Sequence, residues 1–257
     1  MSGPTPGSRA PRGVVFDTDG VLLDSATLHA AAWKVAFDAC LELTGRGDRA
    51  QPPFDADAEY RRFVDGKSRF DGAEALLTAR GLGLPAGTPD DPPGCDTVWA
   101  VAARKEQVFL EALRTEGIVG FADAGPALAV LRAADVPCAA ASASRHARAL
   151  LEAAGLDRLL TVVVDGEDTA RLGLAGKPDP ALFLHAAALL GTRPGNTAVV
   201  EDAVSGVAAA RRGRFGLVVG LDRTPDRRHA ARLREQGADL TVPDLAALVR
   251  SVWGESG

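Results

Sequence analysis

The sequence predicts an α/β fold: a Rossmann-like, doubly wound parallel sheet core with an inserted α-helical cap domain. Three observations predict it. Short apolar runs without polar alternation recur along the chain, the pattern of strands buried on both faces. Most of these runs are followed by a helical stretch. One long segment, 26–117, offers helical patterning and no comparable strand run.

Taken in order, Val14–Phe16 is the first apolar run and ends at Asp17. Helical candidates follow at Ala26–Leu43, Phe70–Arg80 and Thr97–Thr115. They are separated by two breaker-rich stretches, Thr44–Phe54 and Gly81–Cys95. Residues 1–25 and 118–257 are therefore expected to form the α/β core, with 26–117 inserted as a cap. Beyond the insertion, Val136–Ala141 ends at Ser142, Thr161–Val164 at Asp165, and Thr197–Val200 at Glu201. Phe215–Val219 ends at Gly220, and Asp239–Val242 is a weaker sixth run. Gly125–Ala134, Ala147–Ala154, Pro180–Leu190 and Ser205–Arg212 read as helices.

Composition removes several functions. The chain has 257 residues, 46% hydrophobic and 25% charged, which are globular values. Its net charge of −5 lacks the basic excess of a general nucleic-acid binder. No apolar run approaches the ~18 residues of a membrane span. The lead MSGPTPGSRAPR has no signal-like apolar core and reads as disordered. Cys40, Cys95 and Cys138 are odd in number and widely spaced, with no CxxC pair. This predicts reduced thiols, no zinc site and a cytoplasmic protein; a monomer is the expectation for this size.

In an open α/β sheet, ligands bind at the carboxyl ends of the strands. Those ends carry Asp17, Ser142, Asp165, Glu201 and Asp202. Phe16–Val21, FDTDGV, sets two carboxylates two residues apart, with Gly20 allowing a sharp turn. Crowded carboxylates raise each other's pKa unless a cation lies between them. Hard oxygen ligands suit magnesium. One carboxylate can then attack phosphorus while the other moves a proton. An Asx turn or a helix cap would use the same residues for structure alone. Glu201-Asp202 is a second acidic pair, and Asp202 or Ser205 could equally cap a helix. Lys177, in GKPDP, could balance charge beside a phosphate or stay a solvated loop lysine. Ser142-Ala143-Ser144 offers small residues and free N–H groups at a strand-to-helix turn, suited to phosphate or to a simple cap.

The order of these motifs resembles the haloacid dehalogenase superfamily of phosphotransferases: Asp-x-Asp, then Ser, then Lys, then an acidic pair. Within it the chain is most similar to the β-phosphoglucomutase subfamily, over roughly Gly13 to Leu248. Further residues match that subfamily: Asp24-Ser25, His29, Trp33, Gly66-Lys67-Ser68-Arg69, Arg104-Lys105, and Arg145 after Ser144. There are three departures. Asp65 stands where a lysine is seen, His146 where an asparagine is common, and Gly81–Asp96 is longer than in compact members.

The resemblance implies a sugar-phosphate substrate, a Mg2+ cofactor and a phosphoaspartate intermediate. It makes Asp17 the nucleophile and Asp19 the general acid/base. It assigns the metal to Asp17, the carbonyl of Asp19, Glu201 and Asp202. Ser142, Ala143 and Lys177 would hold the transferring phosphoryl group. His29, Trp33, Gly66, Arg69, Lys105, Ser144, Arg145 and His146 would hold the rest of the substrate. β-Glucose 1-phosphate to glucose 6-phosphate is the expected reaction, with a sugar-phosphate phosphatase as the alternative. His185 and His229 are read as packing residues, and Asp226–Arg234 as a solvated helix face. Asp165–Asp168 is placed at the site rim, and Leu22–Ser25 and Gly117–Gly120 are the candidate hinges.

Overall fold

The computed structural model describes residues 10–44, 51–224 and 227–254. Most of the N-terminal lead, residues 45–50 of the first breaker-rich stretch, and Asp226 lie outside the described residues. Six strands form one sheet in the order β3-β2-β1-β4-β5-β6, every pairing parallel. They are β1 (Gly13–Phe16), β2 (Cys138–Ala141), β3 (Val162–Val164), β4 (Thr197–Glu201), β5 (Leu217–Leu221) and β6 (Leu240–Val242). All six apolar runs of the sequence are strands, shifted at most by a few residues.

The helices are α1 (Ala26–Thr44), α2 (Arg69–Ala79), α3 (Val98–Glu116), α4 (Ala124–Ala133), α5 (Ala147–Ala153), α6 (Gly166–Leu172), α7 (Ala181–Leu189), α8 (Val204–Arg212), α9 (Arg228–Glu235) and α10 (Leu245–Trp253). Side chains alternate across a strand, so a sheet covered on both faces needs apolar residues at every position. That is why the strands showed no polar alternation. Val14 and Phe16 of β1 join the apolar cluster on one face, and Val15 joins the cluster on the other. Ala198 and Val200 of β4 divide from Val199 in the same way.

A third apolar cluster forms among α1, α2 and α3, around Trp33, Phe37, Phe54, Leu76 and Val101. It has the stacked pair Trp33–Phe37 at 4.7 Å. Tyr60–Val64, which the sequence left unassigned, is a short π-helical turn between α1 and α2. The chain enters and leaves these three helices side by side. Leu23 bridges Gly120, the Asp24 N–H donates to Val119 O at 3.1 Å, and the Phe121 N–H donates to Leu22 O at 3.0 Å.

One cysteine expectation is corrected. Cys40 on α1 and Cys95, just before α3, form a disulfide. The long stretch before α3 folds back over α1 and brings the two Cα atoms to 5.3 Å. Spacing along the chain carries no trace of that approach. Cys138 is free and buried in β2, and burial pushes its thiol up to about 12. Trp253 packs, half-buried, on the cluster containing Phe16. No described helix is long and apolar enough to cross a membrane.

Candidate active site

The carboxyl ends of β1, β2 and β4 open onto a cavity of about 500 Å³, roofed by α1, α2, α3 and the loop before α2. Asp17 stands where β1 ends, and its N–H donates to Val200 O of β4 at 2.9 Å. Lys177, 3% exposed, aims its Nζ at Asp17 Oδ1, 2.6 Å away, and at Glu201 Oε1, 2.5 Å away. The solvated reading of Lys177 is thereby excluded. An ammonium between two buried carboxylates keeps its proton far more tightly than a free lysine. Burial opposes this, but the charges of Asp17 and Glu201 outweigh it.

The acidic residues behave as a crowded group. Burial pushes Asp17 well above the usual carboxylate range, against the pull of Lys177 and with Glu201 and Asp19 adding to the rise. Burial and the neighbouring Asp65 and Glu201 do the same to Asp202. Asp65 is pushed up to about 7 by burial and by Glu201. One oxygen each from Asp17, Glu201 and Asp202 lie within 4.8 Å of one another. Hard oxygen donors at that spacing, strained by their own repulsion, fit a divalent cation. Glu201 has little left to give: Oε1 meets Lys177, and Oε2 accepts the Ala203 N–H at 2.6 Å. Asp17 and Asp202 are the carboxylates freest to face a metal.

Gly20 is required here. Its φ is +79°, and a Cβ would stand 1.9 Å from Asp202 Oδ2. The two acidic loops touch at that glycine. Capping does not account for Asp202 or Ser205: α8 starts at an N-cap, Ala203, with no side-chain cap, and Ser205 Oγ donates to Asp65 O at 3.0 Å.

Asp19 faces the helical roof. Ser25 Oγ donates to Asp19 Oδ1, Ser142 Oγ lies 3.4 Å from Oδ2, and His29 Nε2 lies 3.4 Å from Oδ1. Lys105, 4% exposed, donates to His29 Nδ1 at 2.9 Å. That bond leaves the ring's remaining N–H on Nε2, toward Asp19. His29 stacks on Phe109 at 4.2 Å, and Lys105 sits 4.4 Å from the same ring. Burial alone would raise the Asp19 pKa, but His29, Ser25 and Lys105 bring it well below the ordinary value. Burial lowers His29, with the Lys105 charge adding to the effect, and burial lowers Lys105 to about 8.

The loop before α2 reaches the sheet at Gly66. Its φ is +70°, and a Cβ would meet Ser205 Oγ at 2.6 Å and Ala203 Cβ at 2.8 Å. Ser68 caps α2 by accepting the Asp71 N–H at 3.2 Å. Arg69 follows, lying over Trp99 at 5.6 Å, with a buried Nε that has no partner among the described residues. Ser142 Oγ accepts the Ser144 N–H at 3.1 Å, a local turn rather than a helix cap, since α5 begins at Ala147. Ala143, Ser144 and Arg145 also line the cavity, as do Trp33 and Gly66. His146 is not a lining residue but sits at its edge, facing α3 through Glu106.

Glu106 is a residue the sequence did not single out. Its Oε1 meets His146 Nε2, and its Oε2 lies 3.6 Å from Arg69 Nη1 and 4.0 Å from Lys105 Nζ. Burial notwithstanding, these partners hold its carboxyl at about 2. It joins α3 to the loop after β2. Beside the basic pair Arg104-Lys105, its sequence context does not set it apart from helix-surface charge. Asp165 proves structural: it caps α6 through the N–H groups of Glu167 and Asp168.

The matched family model is that of the haloacid dehalogenase-like hydrolases, over residues 11–214. The chain belongs to this family. It is 44% identical over 239 residues to a β-phosphoglucomutase of Mycobacterium bovis, covering 93% of this chain and 91% of that protein. It is 31% identical over 198 residues to hexitol phosphatase A of Escherichia coli, covering 76% of each. The structure of a hydrolase from Pseudomonas syringae is similar in fold, with a TM-score of 0.73 at 24% identity, covering 96% of this chain and all of that one.

Proposed function

We propose that the chain is a magnesium-dependent phosphotransferase acting on a sugar phosphate through a phosphoaspartate, with β-glucose 1-phosphate to glucose 6-phosphate as its reaction. The observation that carries this reading is Lys177 held between Asp17 and Glu201 beside Asp202, an arrangement of fixed charge suited to a phosphoryl group. The β-phosphoglucomutase relative supports the choice of substrate.

Asp17 would attack phosphorus with one carboxylate oxygen, forming the O–P bond as the bond to the sugar oxygen breaks. Asp19, held ionised by its partners, would take the proton from the sugar hydroxyl that attacks the phosphoaspartate, then return that proton to the leaving sugar oxygen when Asp17 is phosphorylated again. Magnesium, held by Asp17, Asp202 and the carbonyl of Asp19, would offset the charge of carboxylates and phosphoryl oxygens. Ser142, the Ala143 N–H and Lys177 would grip the phosphoryl group.

A mutase also needs a second grip, because its bisphosphate intermediate must turn around. Arg69 with its unpartnered Nε, together with Ser144 and Arg145 in the cavity lining, supports such a grip, with His146 reaching it only through Glu106. Trp33, His29, Gly66 and Lys105 would shape the space for the sugar. The segment 26–117 would serve as the lid that excludes water and favours transfer to a hydroxyl.

The test is a phosphorus NMR time course with magnesium, β-glucose 1-phosphate and a trace of glucose 1,6-bisphosphate. Glucose 6-phosphate is expected to grow without inorganic phosphate. Release of inorganic phosphate instead would make the chain a sugar-phosphate phosphatase, in line with its hexitol phosphatase relative. Neither product would overturn the substrate.

A further inference from the structure

We propose that the residues after β5, 222–224 and 227–230, brace both acidic loops of the site, and that His229 is a positioning residue for Asp202. The proposal rests on the phosphotransfer reading, in which Asp202 faces the metal. His229, in the first turn of α9, is 7% exposed, and its Nε2 lies 2.6 Å from the backbone carbonyl oxygen of Asp202. A carbonyl only accepts, so the ring donates from Nε2. The opposite nitrogen, Nδ1, is shut away from solvent with no partner among the described residues, a place for a lone pair. The loop carrying Asp202 needs such an anchor, because α8 has no side-chain cap to hold its start.

The same segment grips the other acidic loop from behind. Arg223 donates from Nε to Gly20 O at 3.2 Å and from Nη2 to Val21 O at 3.0 Å. Its guanidinium lies 3.8 Å over Phe121 and pairs with Asp123 at 3.0 and 3.1 Å. The segment itself is fixed by Asp222, 3% exposed, which accepts the N–H groups of Thr224 and Ala230 at 3.0 and 2.7 Å.

One short stretch therefore holds Asp202 by its carbonyl and the Asp17–Asp19 loop by the next two carbonyls. Asp17 and Asp202 repel each other, and the two loops already touch at Gly20. Without the brace, repulsion would let them part. Neither His229 nor Arg223 lines the cavity, so their effect passes through the carboxylates. Partners that orient metal ligands from outside are worth about 10–100-fold in metal affinity.

The test is a titration of the full chain with Mn2+, without substrate, read by electron paramagnetic resonance. His229→Leu removes the donor at similar volume, whereas His229→Gln keeps an N–H donor. The dissociation constant is expected to rise about 10–100-fold in His229→Leu. It should stay near wild type in His229→Gln, with the KM for sugar phosphate at saturating metal unchanged in both. Arg223→Met should weaken the metal in the same direction through the other loop, and it serves if His229→Leu does not fold. Wild-type affinity in His229→Leu and Arg223→Met would overturn the brace, and so would a His229→Gln as weak as His229→Leu. A wild-type chain that binds no Mn2+ would instead remove the phosphotransfer reading on which the proposal stands.

Discussion

Residue chemistry in this site is governed by burial, which makes each charge depend on a named partner. Asp17 is useful only as a carboxylate, and burial works against that form while Lys177 favours it. Asp17→Asn keeps the volume and removes the proposed nucleophile. Turnover should fall by at least about 10⁴-fold, with rapid-quench labelling showing no phosphorylated protein. A labelled variant would move the nucleophile elsewhere. Lys105 supplies a pH dependence. Burial lowers it to about 8 from an ordinary 10.5. Below about 8 its ammonium donates to His29 Nδ1 and keeps the ring proton toward Asp19; above it the neutral amine is a weaker donor and the positive charge beside His29 and Asp19 is lost. A kcat/KM profile should therefore descend near pH 8, and Lys105→Met should lack that limb. A limb that survives the substitution belongs to another group. Stability has its own sign. The folded chain holds this proton less tightly than the unfolded chain, so this lysine's contribution rises as pH climbs from about 8 to 10.5. Asp17, Glu201 and Asp202 at the strand ends, and Lys177 in the loop before α7, were legible in the sequence because motif order placed them. His229 and Glu106 were not. One acts on a backbone carbonyl and the other on side chains far along the chain, and neither bond leaves a local pattern.

The elements were legible wherever hydrophobic patterning decides them. Six apolar runs became six parallel strands because both faces of the sheet are covered. What escaped was short or set by contacts distant in sequence. The helix α6 has seven residues and owes its start to the capping box of Asp165 and Asp168, which read as a loose acidic cluster. The turn Tyr60–Val64 is shorter still. The Cys40–Cys95 pair depends on a loop folding back over α1, and an odd count of widely spaced cysteines hid it. That bond is directly testable. With a sequence separation of 55 residues, the chain-entropy relation puts the loss in Cys95→Ser at about 4 kcal/mol, measurable by urea unfolding. Thiol titration of the denatured wild type should count one free group before reduction and three after it, since Cys138 alone is unpaired. Three groups before reduction would show that the bond does not form in solution.

At the scale of the whole molecule, the site is assembled from two sides. Asp17 and Asp202 come from the strand ends and Lys177 from the loop before α7, whereas His29, Arg69 and Lys105 come from the helices above them. The sides meet where Gly66 lies against Ala203 and Ser205, where Ser205 Oγ donates to Asp65 O, where His29 faces Asp19, and where Glu106 meets His146. Glu106 also lies 3.6 Å from Arg69, so the arginine is held near the place where a distal phosphate would arrive. An arginine fork suits phosphate because it can offer two parallel donors. A hydrolase acting on a small ester has no use for that second grip. A mutase needs it twice, once for each orientation of the bisphosphate. Arg69→Ala should therefore cut conversion of β-glucose 1-phosphate by about 10²-fold or more, as lost positioning does. Hydrolysis of a small phosphate ester by the same variant should change by less than about tenfold. The two activities are measured side by side on one preparation, so a folding defect would lower both. Equal losses in a variant that keeps the wild-type melting temperature would leave one phosphate site and no second grip, and the proposed lid would then serve to exclude water rather than to hold the intermediate while it turns.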